Sequence, residues 1–205
     1  ALVGHVRARA RAVGLKAVAL SFEPLPREYF APDDPPARLL LPRARFEGLC
    51  GLGMDVVGLL RFNAAMAAMS PETFVEKVLV KRLAAREVWV GPGFRFGHRR
   101  AGDLATLQAL GATHGFKAGE VAVVADGQER VSASAVRAQL AAGDLEAAAR
   151  ALGRRYAIAG TVVRGKQLGR QLGYPTANIR LAGKRAPLGG IFAVWVHGIG
   201  PEARA

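Results

Sequence analysis

Short apolar runs alternate with helix-patterned stretches from residue 1 to about residue 152, and the alternation stops at Arg154-Arg155. Residues 17–22 (AVALSF), 56–60 (VVGLL), 87–90 (EVWV) and 121–124 (VAVV) read as buried strands. Each is too short for a buried helix and rich in apolar side chains. Helical patterns fill the gaps at 42–52, 71–83 and 103–114. Strands separated by helices predict a parallel α/β sheet, because parallel neighbours need a long crossover. The helix at 71–83 has a clear start, with Ser70 as N-cap, Pro71 in the first position and Glu72 in the first turn. Two more helices follow Val131: one over 134–141 that stops at Gly143, and one capped by Asp144 that ends at Gly153. Beyond Arg155 the pattern turns to β-type residues, with strands predicted at 156–163 and 191–196. The chain therefore divides into residues 1–152 and residues 153–205.

A chain of 205 residues, 51% of them hydrophobic, can bury a real core. It lacks an apolar run of the roughly 18 residues that a membrane helix needs. Arg7, Arg9 and Arg11 interrupt any secretory pattern, and the opening on Ala1 rather than Met hints at a processed or incomplete chain. The single cysteine, Cys50, lies in an apolar helical stretch. It predicts a buried structural thiol and a reducing, cytoplasmic setting. The net charge of +13 invites a nucleic-acid partner, but the arginines are scattered and only 7% of residues are aromatic. Without a dense basic run or a stacking platform, nucleic-acid binding is the weakest functional alternative.

Residues 160–178 (GTVVRGKQLGRQLGYPTAN) concentrate glycine, positive charge and small oxygen donors. Glycines let backbone N–H groups approach an anion, Lys166 and Arg170 supply charge, and Thr176 and Asn178 offer oxygens suited to hydrated Mg²⁺ and its phosphates. The start of the segment spells a Walker A loop up to its last position. There, Gln167 replaces the Ser or Thr that such loops use to hold Mg²⁺. Gly169, Gly173 and Pro175 would also break the long helix that should follow.

The same segment resembles the riboflavin kinase module of bacterial bifunctional riboflavin kinase/FMN adenylyltransferases, whose pattern G-x-V-V-x-G-x-x-x-G-R-x-L-G-x-P-T-A-N it meets at every specified position. The resemblance extends upstream through the S-F-E-P-L-P run at 21–26, R-F-N at 61–63, V-G-P-G-F-R-F-G at 90–97 and R-V-S-A-S-A-V-R at 130–137. It implies a Rossmann-like nucleotidyltransferase domain with a parallel sheet over 1–152, followed by an incomplete small β-barrel of riboflavin kinase type over 153–205. The implied activity is ATP-dependent phosphorylation of riboflavin to FMN and adenylylation of FMN to FAD, with Mg²⁺ as cofactor. Carried over residue by residue, Phe22, Pro24, Asn63, Phe94, Phe96, Arg130, Ser134 and Arg137 would meet ATP or FMN in the first domain. Gly165, Lys166, Gly169, Arg170 and Pro175 would hold ATP in the second, with Thr176 and Asn178 at the metal.

Three departures qualify that transfer. Gly93 stands where the family has Asp or Asn, while Ala133 and Ser134 replace Ser and Thr. The family's G-x-F-D-G-V-H-x-G-H motif is absent, and His5, His98, His114 and His197 have no spacing that replaces it. The resemblance also places the kinase's general-base glutamate downstream of residues 190–196, and Glu202 does not suit that role. The chain is therefore expected to be truncated at both ends and inactive as given. The alternative is a non-catalytic nucleotide- or flavin-binding protein.

Overall fold

The computed structural model describes residues 2–122, 125–126, 129–174 and 176–198, with backbone alone for 125–126, 129–130, Leu168 and Arg170. Helix α1 (Leu2–Ala12) leads into β1 (Val18–Glu23), and after α2 (Pro26–Phe30) and α3 (Pro42–Gly51) the chain enters β2 (Val56–Arg61). β1 and β2 pair in parallel with Val18 opposite Val56 and Glu23 opposite Arg61, so both strands finish at one edge. A second parallel pair joins β3 (Glu87–Val90) to β4 (Lys117–Glu120), with Glu87 opposite Lys117. The predicted strands at 17–22, 56–60 and 87–90 are thus found within a residue at either end.

The prediction at 121–124 is displaced. The pairing segment is Lys117–Glu120, and only the Val121 amide continues it, donating to the Val90 carbonyl at 2.9 Å. Val123 and Val124 lie outside the described residues. Lys117-Ala118-Gly119-Glu120 carries no β-branched side chain, so its strand character comes from β3 alongside. Gly119 has a packing reason to be there, because a Cβ would meet the Trp89 ring at 2.4 Å.

Between β2 and β3 run α4 (Ala64–Ala67) and α5 (Pro71–Phe74), and the latter continues as π-type turns over Val75–Arg82. Ser70 caps this helix as predicted, its hydroxyl accepting from the Thr73 amide at 3.2 Å. The wider turn brings Lys81 to Glu76, five residues back, at 2.5 Å. Helix α6 (Leu104–His114) is capped by Asp103, which accepts from the Thr106 amide, and it ends at Gly115 in the left-handed region. Val75, Leu79, Val90, Phe96, Leu107 and Phe116 form the main core where these helices meet β3 and β4, and Leu20 of β1 packs against it. A second cluster of Ala10, Ala17 and Met54 seats α1 against the β1–β2 pair, with Leu49 of α3 beside it. Arg9 of α1 also binds Glu87 of β3 through both of its carboxylate oxygens at 2.8–3.0 Å, so one helix touches both parallel pairs.

Cys50 is exposed, which corrects the predicted buried thiol. Helix α3 has no fully buried residue; it presents Leu49 to the core, and the next residue along faces elsewhere.

After the short β5 (Ala125–Asp126) and β6 (Glu129–Arg130), α7 (Ala133–Ala141) and α8 (Leu145–Leu152) pack together through Val136, Leu140 and Ala148. Asp144 and Gly153 cap α8 as the sequence predicts. The predicted strand at 156–163 shortens to β7 (Thr161–Val163), which pairs antiparallel with β8 (Asn178–Arg180) around α9 (Leu168–Gln171). Residues 191–196 form no strand, and Ile191 is fully exposed. A strand needs a neighbour for its N–H and C=O groups, and among the described residues none pairs with this stretch. No closed sheet is present among the described residues. No helix among them is long and apolar enough to cross a membrane.

Candidate functional site

Parallel strands end together, and in open α/β architectures ligands bind beyond their carboxyl ends. At the ends of β1 and β2 the chain places a cluster of aromatic rings. Phe22 is the last residue but one of β1, Phe62 follows β2, and Tyr29 and Phe30 come from α2. Phe22 and Phe62 meet edge-on at 5.5 Å, while Tyr29 and Phe30 lie 5.3 and 5.8 Å from Phe62. Phe30 is 67% exposed, so the cluster offers an open aromatic surface rather than a closed core. Asn63 stands beside it as the N-cap of α4, its carbonyl accepting from the Met66 amide at 3.0 Å. The sequence pointed to Phe22, Pro24 and Asn63, but Tyr29, Phe30 and Phe62 were missed. Their signal was available: Y-F at the end of a Pro-initiated turn beside F-E-P, and F before N at a strand end.

An ion network supports this cluster from below. The Glu23 carboxylate accepts from Arg38 Nη2 at 2.8 and 3.0 Å and from Arg45 Nη2 at 3.0 Å. Arg45 also donates to the Phe22 carbonyl at 2.8 Å. Glu28 and Arg38 are both buried and hydrogen-bonded to each other, and Glu28 additionally accepts from the Leu25 amide at 3.1 Å at the start of α2. Burial opposes ionisation of Glu28, but the Arg38 and Leu25 hydrogen bonds outweigh it, so its pKa lies below the usual carboxylate value. Lys184, far along the chain, reaches the same pair at 3.4 Å from Glu28 and 3.8 Å from Glu23.

The loop after β3 sends its aromatic residues elsewhere. Phe96 lies in the main core and stacks on Phe94 at 5.4 Å. Its backbone bridges Gly102 in both directions at 2.9 and 3.0 Å, and its ring fills the space that a Cβ on Gly102 would take. Phe94 is partly buried against the same core, so it alone of the two retains exposed surface. Gly93 has φ +71. Asp or Asn tolerates that region better than most side chains, so glycine keeps the backbone path here without a polar group.

At the head of α7 the cap is Ser132, whose hydroxyl accepts from the Ala135 amide at 3.1 Å. Ser134 is the second helical residue and is exposed at the open N-terminal end. Arg137 points another way: its Nε donates to the Ala37 carbonyl at 2.6 Å and its Nη1 to the Ala133 carbonyl at 3.2 Å. It pins the loop before α3. Burial, with Arg27 and Arg38 nearby, lowers its pKa. The Arg130 side chain lies outside the described residues.

In the glycine-rich segment the structure brings Asn178 close to Gly165 and Thr176 close to Gly169. β7 and β8 align Val163 with Asn178. A Cβ on Gly165 would meet Asn178 Nδ2 at 2.5 Å, and one on Gly169 would meet the Tyr174 carbonyl at 2.3 Å with Thr176 Oγ1 at 3.4 Å. These two glycines therefore serve close approach, letting Asn178 and Thr176 fold in over the turn. Lys166, Thr176 and Asn178 are exposed, Pro175 lies outside the described residues, and so does the Arg170 side chain. Thr176 and Asn178 are neutral oxygen donors, fit to complete the shell of a phosphate-bound Mg²⁺ rather than to hold the bare ion. Among the described residues no cluster of His, Cys, Asp and Glu could bind a metal.

Residues 1–135 match the FAD synthetase family model, and residues 152–204 match the riboflavin kinase model. The chain belongs to the FAD synthetase family. It is 42% identical over 197 residues to the bifunctional riboflavin kinase/FMN adenylyltransferase of Pseudomonas fluorescens, covering 96% of this chain and 63% of that protein. It is 39% identical over 202 residues to the enzyme of the same name from Escherichia coli K12, covering 98% and 64%. A crystal structure titled macrolide-efflux protein from Streptococcus pneumoniae superposes with a TM-score of 0.72 at 24% identity, over 92% of this chain and 62% of that one. That last likeness concerns the fold alone. The chain thus spans somewhat under two thirds of these relatives' lengths.

Proposed function

We propose that this FAD synthetase family chain binds flavin and adenine nucleotides for FMN and FAD synthesis. In this reading residues 1–152 form a Rossmann-like FMN adenylyltransferase domain, and residues 153–205 belong to the small β-barrel of a riboflavin kinase domain. The observation that carries it is the open aromatic cluster of Phe22, Tyr29, Phe30 and Phe62 at the shared carboxyl edge of β1 and β2. A flat, half-apolar isoalloxazine suits such a surface. Pro24 and Asn63 flank it, whereas Phe94 and Phe96 pack in the main core, where Phe94 is a separate candidate for a nucleotide contact. The open N-terminus of α7, with Ser134 and the adjoining Arg130, favours phosphate through free N–H groups and the helix dipole. Arg137 acts there by fixing the loop before α3 at Ala37, next to Arg38.

The adenylyl step joins an FMN phosphate oxygen to the α-phosphorus of ATP and releases diphosphate. The kinase step moves the γ-phosphoryl of ATP to the ribityl hydroxyl and releases ADP. For the second, Gly165 and Gly169 bring the turn close, Lys166 and Arg170 would neutralise charge, and Pro175 is a further candidate for holding ATP. Mg²⁺ bound with the nucleotide would supply charge neutralisation there, its shell completed by those two side chains. Positioning of this kind supports ligand binding by itself.

Titrating FMN while following flavin fluorescence tests the reading. Stacking on the ring cluster should quench emission. Phe30→Ala should weaken binding about tenfold, the scale of one aromatic stacking partner. Unchanged affinity in Phe30→Ala, or no quenching in the unaltered chain, would remove the flavin assignment. Nucleotide binding by Mg²⁺-ATP should separately weaken in Lys166→Ala and Thr176→Ala.

A further inference from the structure

Lys184 belongs to the stretch matched by the riboflavin kinase model, yet its ammonium sits on two carboxylates beneath the aromatic cluster of the other matched stretch. Glu28 immediately precedes Tyr29 and Phe30 on α2, and it holds the amide that opens that helix. Glu23 immediately follows Phe22, and Arg45 ties the Glu23 carboxylate to the Phe22 carbonyl. The contact is reinforced along the backbone, where the Arg38 amide donates to the Arg185 carbonyl at 2.9 Å. The elements that carry Phe22, Tyr29 and Phe30 are therefore bonded to one network, and the Phe62 amide donates to the carbonyl of Glu23 at 3.0 Å. Lys184 is the member of that network contributed from beyond residue 152.

We infer that Lys184 is a positioning residue through which the riboflavin kinase-like stretch sets the arrangement of the aromatic cluster, and with it the affinity for flavin. The inference rests on the flavin-binding reading for its second half only; the mechanical link from Lys184 to α2 stands on the contacts themselves. Removing the ammonium leaves Glu28 with Arg38 and Leu25 as partners and loosens the hold of residues 181–188 on α2. Because Lys184 is only part-buried, its replacement leaves no large cavity. A link of this kind is reciprocal, so a ligand that shifts the 181–188 stretch would also shift flavin affinity.

The test uses the full 205-residue chain with Lys184→Met, which keeps the aliphatic stem, and Lys184→Arg, which keeps the charge. Two readouts are taken: ring chemical shifts of Tyr29, Phe30 and Phe62 without ligand, and the FMN dissociation constant by fluorescence quenching. In Lys184→Met the ring signals should move and FMN should bind about fivefold more weakly, the lower end of typical coupling between sites. Lys184→Arg should restore both. Unmoved ring signals in Lys184→Met overturn the inference whatever the unaltered chain binds. Moved signals with unchanged FMN affinity overturn it as well, since the positioning would not reach the ligand. If the unaltered chain fails to quench FMN, the flavin reading falls, while moved ring signals that arginine restores still support the link.

Discussion

The α/β stretch and the glycine-rich stretch hold their candidate sites by different means. Residues 2–152 carry the aromatic cluster on a framework of buried apolar side chains, such as Leu107 at 1% exposure, and on a buried ion network around the Arg38–Glu28 pair that Lys184 joins from further along the chain. Residues 156–198 contribute Tyr156 and Leu188 to the packing around α7 and α8, but leave Leu172, Tyr174, Ile191 and Trp195 exposed. Their phosphate-binding candidates are gathered by close backbone approach at Gly165 and Gly169 instead. One site is shaped by what is packed beneath it, the other by what is left off its glycines. Damage to the first should therefore appear as lost stability, and damage to the second as lost binding.

The largest expected effect falls on the first. Arg38→Ala strips Glu28 of its main partner and leaves Glu23 with Arg45 and Lys184. Breaking a buried pair from one side costs about 3–5 kcal/mol, because the remaining charge has lost its compensation. Urea unfolding at neutral pH should show a loss of that size. A loss no greater than that of an exposed pair such as Arg43–Glu47 would mean that water already reaches the cluster. Leu107→Ala probes the same stretch without charge, and burial at this depth predicts a loss of about 2–5 kcal/mol.

Gly169→Ala should invert the pattern. Its Cβ would stand 2.3 Å from the Tyr174 carbonyl, a backbone atom that cannot rotate away. The turn carrying Thr176 must open, and Mg²⁺-ATP binding should fall by at least about tenfold, a loss near 1.4 kcal/mol. Because this segment contributes little to the main core, the unfolding midpoint should hardly move. A large drop in stability with intact ATP binding would reverse the contrast between the two stretches.

How much of this was legible in the sequence follows the same division. Local chemistry was readable: Ser70 and Asp144 cap helices as predicted, and three parallel strands announce themselves by short apolar runs. What the sequence concealed depends on partners distant in the chain. Lys117–Glu120 is a strand because β3 lies beside it, and 191–196 is not one because no described neighbour pairs with it. Phe96 is in the core because Gly102 makes room for its ring. Arg137 was assigned to ATP, but its donors are aimed at the carbonyls of Ala37 and Ala133. The Glu23–Glu28–Arg38–Lys184 network joins residues up to 161 positions apart in a chain rich in unpaired-looking arginines, and spacing cannot single it out.

Acid should separate the two stretches on a smaller scale. Glu28 has a folded pKa below its ordinary value, so its hydrogen bonds to Arg38 and Leu25 stabilise the fold only while it is ionised. That contribution is complete above the ordinary carboxylate pKa. It declines as pH falls below that value and is gone once pH has passed through the lowered folded pKa. The urea midpoint of the unaltered chain should therefore drop more steeply between pH 6 and 3 (a window of roughly the carboxylate range) than that of Glu28→Gln. Glu28→Gln should be less stable at neutral pH, and the two curves should converge in acid. Curves that stay parallel would show that Glu28 keeps its proton balance on unfolding, and the ion network would then organise the aromatic cluster without stabilising the domain around it.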